Sequence, residues 1–191
     1  MRTPMQSDQP PPRRQLPALD AQIKAAQQGD STAFEAVFDA CYDVLYRYAF
    51  QWAGNAADAE DIAQLAAIKL AKTLKQFKFE SQFTTWLYRL VVNTAIDWAR
   101  ANRRHQGQEP TADSPEETVS HAGFSAVYLQ QLINQVAQMG EGFKEAVILV
   151  LGEGFSHKEA AQVLKVKEST VSWRIHEVRK QLNQHSGGCH D

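Results

Sequence analysis

One stretch free of proline and glycine constrains the fold more than any other. It runs from Phe83 to Arg104 and reads FTTWLYRLVVNTAIDWARANRR. Its apolar residues recur at the spacing of an α-helix, about 3.6 residues per turn, and therefore share one face. That inner face consists of Phe83, Leu87, Leu90, Val91, Thr94, Trp98 and Ala101. A narrow polar stripe lies opposite and consists of Arg89, Asn93, Asp97, Arg100 and Arg104.

The polar stripe carries mostly positive charge, and Arg103 beside it adds another cation. Such a face suits a partner that is negative and rich in hydrogen-bond acceptors, as nucleic acid is. The alternative is an ordinary solvated outer face, because charged residues usually lie on the outside of helical proteins.

The composition indicates an all-α protein with room for one domain or two small ones in its 191 residues. The formal net charge of −2 excludes a protein that is basic throughout, so any affinity for nucleic acid must come from local clusters.

Cys41 and Cys189 suggest no disulfide framework, which fits a reduced, cytoplasmic setting. No apolar run approaches the roughly 20 residues that span a bilayer, so we predict no direct membrane insertion.

The patterns divide the chain into five parts. Residues 1–19 form a proline-rich tail that we expect to be disordered, either passive or partner-binding. Helical domains follow at 20–104 and 127–184. They are joined by a flexible linker, 105–126, which contains four carboxylates and no Lys or Arg. The linker is either a solvated spacer or an occupant of a nucleic-acid path. In the tail at 185–191, the possible soft-metal ligands are too few to predict a metal site or cofactor: His185, Cys189 and His190.

Two helices are predicted before the organising stretch. The first begins at Asp30-Ser31 and ends at Gly54, with Cys41 as a small buried hydrophobe in its apolar stripe. The second runs from Asp58 to Phe77. Its predicted buried side consists of Ile62, Leu65, Ala66, Thr73 and Phe77, and its far side of Asp61, Gln64, Ile68, Lys72 and Lys75.

Ile68 is an apolar residue within the polar far side of the second helix. A single exposed isoleucine is ordinary in a soluble protein. With Asp61 and Gln64 one turn before it, however, Ile68 could anchor a protein partner.

The segment FKFESQF, from Phe77 to Phe83, interrupts the helical pattern just before the organising helix. Its central residues, Phe79, Glu80, Ser81 and Gln82, could accept an unstacked base. Stacking on an aromatic ring is worth roughly 1–3 kcal/mol per base. The alternative is a plain connection between helices with one core phenylalanine.

The second domain contains a helix-turn-helix pattern. Ser156 and Glu159 predict a capping box, a short turn follows at 165–167, and a last helix begins near Ser169. Residues 165–180 carry five Lys or Arg and two Glu, a net charge of +3, which suits a major-groove reader. A simple helical hairpin is the alternative. The inner stripe is Val171, Ile175, Val178 and Leu182. Trp173 points outward, either to a thymine methyl or sugar or to another protein.

Several blocks resemble bacterial sigma factors of the extracytoplasmic-function (ECF) group. Residues 58–64, 83–97 and 103–104 resemble region 2, and residues 154–161 and 169–174 resemble region 4. The resemblance covers about residues 25–104 and 127–183, in the order of that group.

The resemblance implies an alternative-sigma transcription initiation factor and not an enzyme. Such a protein binds core RNA polymerase, directs it to specific promoters and helps melt promoter DNA. It is cytoplasmic and monomeric outside its complexes, and an anti-sigma factor holds it inactive. Its polymerase contacts are the β′ clamp coiled coil and the β flap.

The resemblance also implies residue roles. The β′-binding residues are Asp61, Gln64, Ile68 and Lys72. The minus-ten residues are Phe79, Glu80, Ser81, Gln82, Arg89, Asn93, Arg100, Arg103 and Arg104, with Trp86 supporting the base pocket from within. The minus-thirty-five residues are Ser169, Thr170, Ser172, Trp173, Arg174, His176, Arg179 and Lys180.

Departures from the group concern turns and charge. The group commonly has glycine near Phe79 and also in the turn where this chain has Lys165. It commonly has Leu-Pro where this chain has Met139-Gly140. A side chain in a left-handed turn costs on the order of 1 kcal/mol. Basic residues are common in the group at Ser172 and Glu177, so minus-thirty-five binding is expected to be weaker or differently specific.

Two other classes of function compete with this interpretation. A stand-alone helix-turn-helix repressor or activator would need a dimer interface, and it leaves the first domain unexplained. A protein–protein adaptor explains Ile68 but not two basic helices. A DNA binder should lose affinity with salt at a log–log slope of about −0.9 per phosphate contact, whereas an adaptor should not.

Overall fold

The computed structural model describes residues 18–105 and 121–186, with side chains at 18–102 and 130–184. This part of the chain is helical and contains no strand, which confirms the predicted all-α class. None of its helices is long and apolar enough to cross a membrane. The helices are α1 (Asp20–Gln27), α2 (Ser31–Ala53), α3 (Ala56–Thr73), α4 (Phe83–His105), α5 (His121–Gln138), α6 (Phe143–Val147), α7 (His157–Leu164) and α8 (Glu168–Ser186).

Helices α1–α4 form the first unit, and local caps fix their ends. The Asp30 side chain accepts a hydrogen bond from the Ala33 N–H at 3.0 Å, as an N-cap does. Gly54 ends α2 in the left-handed conformation, at a φ of 82°. Asn55 then caps α3 by accepting from the Asp58 N–H at 2.9 Å. For this reason α3 begins at Ala56, two residues before its predicted start.

The core of the first unit lies between α2, α3 and α4. Its fully buried side chains include Leu45 and Tyr48 of α2, Ile62 and Leu70 of α3, and Leu87 of α4. The predicted inner face of α4 therefore packs inward, although Leu90, Trp98 and Ala101 at its edge are only half-buried. Each of the leucine and isoleucine side chains removed from water here contributes about 1.5–3 kcal/mol, which makes this packing the main source of stability.

A short helix that sequence patterns did not reveal completes the first unit. In α1, Ile23 is fully buried, and the Gln27 amide donates to the carbonyl oxygens of Leu74 and Phe77 at 2.9 and 2.8 Å. Those carbonyls belong to the 3₁₀ turn after α3 and to the residue that follows it. Gln27 thereby satisfies backbone groups that a helix end leaves unpaired and holds the start of the loop at residues 77–82.

Helices α5–α8 form the second unit, whose central helix ends irregularly. Helix α6 runs into a π-helical turn, Ile148–Gly152, closed by the Glu153 N–H donating to the Ile148 carbonyl at 2.8 Å. The predicted capping box of Ser156 and Glu159 is present at the start of α7. Helix α5 begins at His121, before residue 127, which is the predicted start of the second domain.

The two units pack directly against each other, and α4 contributes to both. Tyr88 and Val92 lie outside its predicted inner face and are nevertheless buried. The Tyr88 ring meets the Phe155 ring of the second unit edge to face, with centroids 4.7 Å apart. Helix α4 therefore has two buried faces, and its outer stripe is what remains.

The buried thiol of Cys41 gives a direct test of the α2 packing. Burial raises the pKa of Cys41 to about 12, so almost no reactive thiolate exists at neutral pH. In a Cys189→Ser variant, we expect Cys41 to resist iodoacetamide in buffer and to react fully in denaturant, as measured by mass spectrometry. Fast labelling of the native variant would contradict the burial of Cys41.

Candidate nucleic-acid and protein interfaces

The four residues predicted to bind polymerase lie together on the solvent side of α3. Asp61, Gln64, Ile68 and Lys72 are all exposed, and they follow one another at spacings of three and four residues. Half of the Ile68 surface is accessible (50%), although its side chain is apolar. The stripe therefore offers an apolar centre with charged and polar groups around it.

Leu65 does not lie on the buried side of α3 as predicted, since 42% of its surface is accessible. The buried side passes instead through alanines, including Ala59, Ala63 and Ala66, which allow neighbouring helices to approach closely. Leu65 is left beside the outer stripe, three residues before Ile68. Thr73, also predicted to be buried, is only half-buried.

The loop before α4 is built on a cluster of aromatic rings. The centroid of the Phe77 ring lies 4.7 Å from that of Phe79, 5.3 Å from that of Phe83 and 5.5 Å from that of Trp86. Phe79 adopts a left-handed backbone, with a φ of 58°, and the Lys24 ammonium lies 5.2 Å from its ring. The neighbouring loop residues are exposed and form the rim of the cluster: Glu80, Ser81 and Gln82.

The outer stripe of α4 is only partly open to solvent. Asn93 and Asp97 are exposed, and Asp97 pairs with the Lys69 ammonium at 3.1 Å. The Arg89 guanidinium instead donates to the Gln162 carbonyl at 2.7 Å, and Arg100 lies 3.3 Å from the Glu141 carboxylate. The side chains of Arg103 and Arg104 lie outside the described part.

The outer side of α8 separates into exposed groups and groups that hold the second unit together. The Ser172 hydroxyl meets the His157 ring nitrogen at 2.9 Å, and the Arg174 guanidinium donates to the Glu141 carbonyl at 3.1 Å. Thr170 is half-buried. The Trp173 and Phe143 rings meet edge to face with centroids 5.3 Å apart, yet Trp173 remains 55% exposed. The remaining predicted minus-thirty-five residues are exposed: Ser169, His176, Arg179 and Lys180.

These exposed groups follow the face of α8 that points away from its core. Val171, Ile175 and Val178 are buried as predicted, and Leu182 is half-buried. An open groove along α8 is lined by His176, Arg179, Lys180, Asn183 and Gln184. Cationic and amide groups along one open helix face suit phosphates and base edges.

Within the described residues, no group of three or more His, Cys, Asp or Glu side chains is placed to hold a metal ion. Cys189 and His190 lie outside the described part, as does the side chain of His185, so the predicted C-terminal tail is not addressed by this geometry.

The turn of the helix-turn-helix has the conformation expected from its sequence position. Lys165 ends α7 with φ and ψ of 55° and 41°, which is left-handed. A side chain in this conformation costs about 1–2 kcal/mol, because its Cβ crowds the next carbonyl. Glycine avoids that cost but loses more chain entropy on folding.

We expect Lys165→Gly to stabilise the second unit by about 1 kcal/mol, measured by urea denaturation. Lys165→Ala is the matched control, since it removes the same charge but keeps the Cβ. It should give no comparable gain. Equal stability of both variants would mean that the turn is not strained.

Comparison with known proteins follows the same division into two units. The profile of Sigma-70 region 2 matches residues 37–105, and that of Sigma-70, region 4 matches residues 129–182. The chain is 27% identical over 178 residues to ECF RNA polymerase sigma factor SigW of Bacillus subtilis, covering 87% of this chain and 95% of that protein. It is 27% identical over 188 residues to ECF RNA polymerase sigma factor SigM of Mycobacterium tuberculosis, covering 91% and 92%.

Two solved structures share the fold. CnrH in complex with the cytosolic domain of CnrY has a TM-score of 0.67 at 20% identity, over 89% of this chain and 97% of that one. The sigma factor RpoE of Bartonella quintana, in complex with the anti-sigma factor NepR, has a TM-score of 0.59 at 21% identity, over 82% and 98%.

Proposed function

Because the chain belongs to the extracytoplasmic-function group of bacterial sigma factors, we propose that three of its helices divide the work of promoter recognition. In this assignment α3 binds core RNA polymerase, the loop at residues 77–82 with α4 binds the minus-ten element, and α8 binds the minus-thirty-five element. The corresponding domains are residues 20–104 and 127–184.

The observation that carries the proposal is the apolar pair on α3. Leu65 and Ile68 are large, exposed and adjacent, and Asp61, Gln64 and Lys72 surround them. An apolar centre with a polar rim is the usual anatomy of a protein–protein interface. A stand-alone DNA-binding protein has no need of such a surface on its first unit, whereas a subunit that docks on polymerase does.

Minus-ten binding requires a rigid pocket for a base taken out of the stack. Extruding a base costs a few kcal/mol, which contacts in the pocket must offset. The rings packed around Phe77 fix the two ends of the loop, since Phe77 and Phe83 flank it. Glu80, Ser81 and Gln82 between them are exposed and can contact the base edge. Asn93 then supplies both a donor and an acceptor on the adjoining helix.

Minus-thirty-five binding requires a helix that fits the major groove. In α8 the exposed residues lie opposite the buried Val171, Ile175 and Val178, so the helix can enter the groove without disturbing its own core. Trp173 gives an apolar contact for a thymine methyl, and Lys180 gives a charge for the phosphates.

An anti-sigma factor is the proposed inhibitor, and the cytoplasm the proposed place of action. Of the two similar solved structures, one contains CnrH with the cytosolic domain of CnrY, and the other contains RpoE with the anti-sigma factor NepR. For this chain, the surface that such a partner would cover is the pair of Leu65 and Ile68, since the same apolar side chains need protection from water when polymerase is absent.

Run-off transcription tests the proposed function directly. The purified chain is added to sigma-free core RNA polymerase with a fragmented genomic template, and the transcript starts are sequenced. We expect starts that share a two-part upstream motif. An active polymerase that neither binds the chain nor starts transcripts would exclude the proposal.

The polymerase contact can be tested with a matched pair of variants. Replacing both Leu65 and Ile68 with serine should raise the Kd for core polymerase at least about tenfold, because buried apolar anchors supply most of the binding energy. Phe50→Ser is the control, since Phe50 on α2 is exposed to a similar extent, 43%. Equal losses in both variants would contradict the assignment to α3.

The two DNA contacts should respond differently to substitution in the polymerase complex. Lys180→Ala should weaken duplex binding and reduce the log–log salt slope by about 0.9, since one phosphate contact is lost. Asn93→Ala should leave that slope unchanged but reduce strand opening, measured by permanganate footprinting. If both variants changed the salt slope and the opening alike, the division between α4 and α8 would be wrong.

A further inference from the structure

A single buried carboxylate joins the two units. Glu153 follows the π-helical turn of the second unit, and only 3% of its side chain is exposed. One of its oxygens accepts from Arg47 Nε at 2.9 Å and from Gln51 Nε2 at 3.0 Å. The other accepts from Arg47 Nη2 at 2.7 Å and from the Tyr88 hydroxyl. All three donors belong to the first unit.

This network matches donors to acceptors without leaving the charge unpaired. Arg47 binds both carboxylate oxygens, the geometry in which guanidinium–carboxylate pairs are strongest. The hydrogen bond to Glu153 is the main reason that the pKa of Arg47 is raised. Burial, reinforced by the Glu153 charge, raises the pKa of Tyr88, so its hydroxyl remains a donor.

Further contacts join the two units. The Lys144 ammonium lies 4.0 Å from the centre of the Trp52 ring, and the Trp52 indole donates to Glu145 at 3.4 Å. The Phe155 ring packs on Tyr88. Charged, polar and aromatic groups of both units therefore meet at one defined interface.

In this closed arrangement, the second unit also contacts two of the arginines assigned to promoter DNA. Arg89 of α4 donates to the Gln162 carbonyl of α7. Arg100 pairs with Glu141 before α6. A guanidinium engaged by the second unit must release that contact to bind a phosphate well, and α7 packs along the helix that minus-ten DNA would approach.

We propose that the Glu153 network is an autoinhibitory latch, which holds the two units closed and keeps α4 from DNA until core polymerase separates them. The proposal rests on the function assigned above, because it concerns access to the same DNA surface. It adds an inhibitory contact within the chain itself, independent of any separate inhibitor.

The test compares the full-length wild-type chain with Glu153→Gln, in the absence of polymerase. Glutamine keeps the shape of the side chain but removes the charge that Arg47 pairs with. We expect a larger radius of gyration by small-angle X-ray scattering. On a fluorescent mixed-sequence DNA duplex, we expect a log–log salt slope more negative by about 0.9, because Arg89 gains one phosphate contact when it leaves the Gln162 carbonyl. At low salt the Kd should fall at least about fivefold.

Two further variants keep the test decisive. Tyr88→Phe removes one donor from the opposite side while preserving the ring packing, and it should shift both measurements in the same direction by less. Glu141→Gln is the matched control, since its exposed pair with Arg100 contributes little, and it should leave the radius of gyration unchanged. Circular dichroism verifies that each variant is folded.

Wild-type values for Glu153→Gln in both measurements would overturn the latch. An expanded Glu153→Gln with no change in duplex binding would also overturn it, because the contact would then not be inhibitory. Run-off transcription with saturating polymerase should be equal for the wild type and Glu153→Gln. Failure of the wild type in that assay would instead refute the proposed function, since scattering and duplex binding are measured without polymerase.

Discussion

The structure depends on the burial of α4 on two sides at once. Leu87 and Val91 fill the core of the first unit, while Tyr88 meets the second unit through Phe155 and Glu153. Only a narrow stripe through Asn93 remains for a ligand. The position of that stripe is therefore set by two cores, and a change in either one moves the candidate DNA surface.

Glu153 makes the association of the units specific as well as favourable. Burying a carboxylate costs free energy unless its partners neutralise it and satisfy its oxygens. A slight shift between the units would therefore cost more free energy here than at a purely apolar interface. The closed arrangement is thus expected to be a discrete state. Such a state can be abolished by a competitor for one unit, because partial opening already leaves Glu153 and Arg47 without each other.

Periodicity predicted one buried face of α2, α4 and α8, but not what that face packs against. It located α2 and α4 closely, the inner stripe of α8, and the capping box at Ser156. It missed α1, whose eight residues give little periodic signal, and it misplaced Leu65, because alanines can form a buried face without larger side chains. The pairing of Arg47 with Glu153 joins residues 106 positions apart, and no local pattern encodes it. Residue roles at the polymerase and promoter surfaces came from family resemblance and remain predictions.

The π-helical turn at Ile148–Gly152 has a consequence for how this protein can vary in length. A π turn accommodates one residue more than an α turn, and each residue of a helix rotates the chain by about 100°. Deleting one residue here would therefore restore regular winding and leave the residues on either side in the same rotational phase, with Glu153 still facing Arg47. The same deletion in a regular α-helical turn would rotate everything after it by about 100° and separate Glu153 from Arg47. Loss of a single codon is thus expected to preserve the junction of the two units only if it falls within this turn.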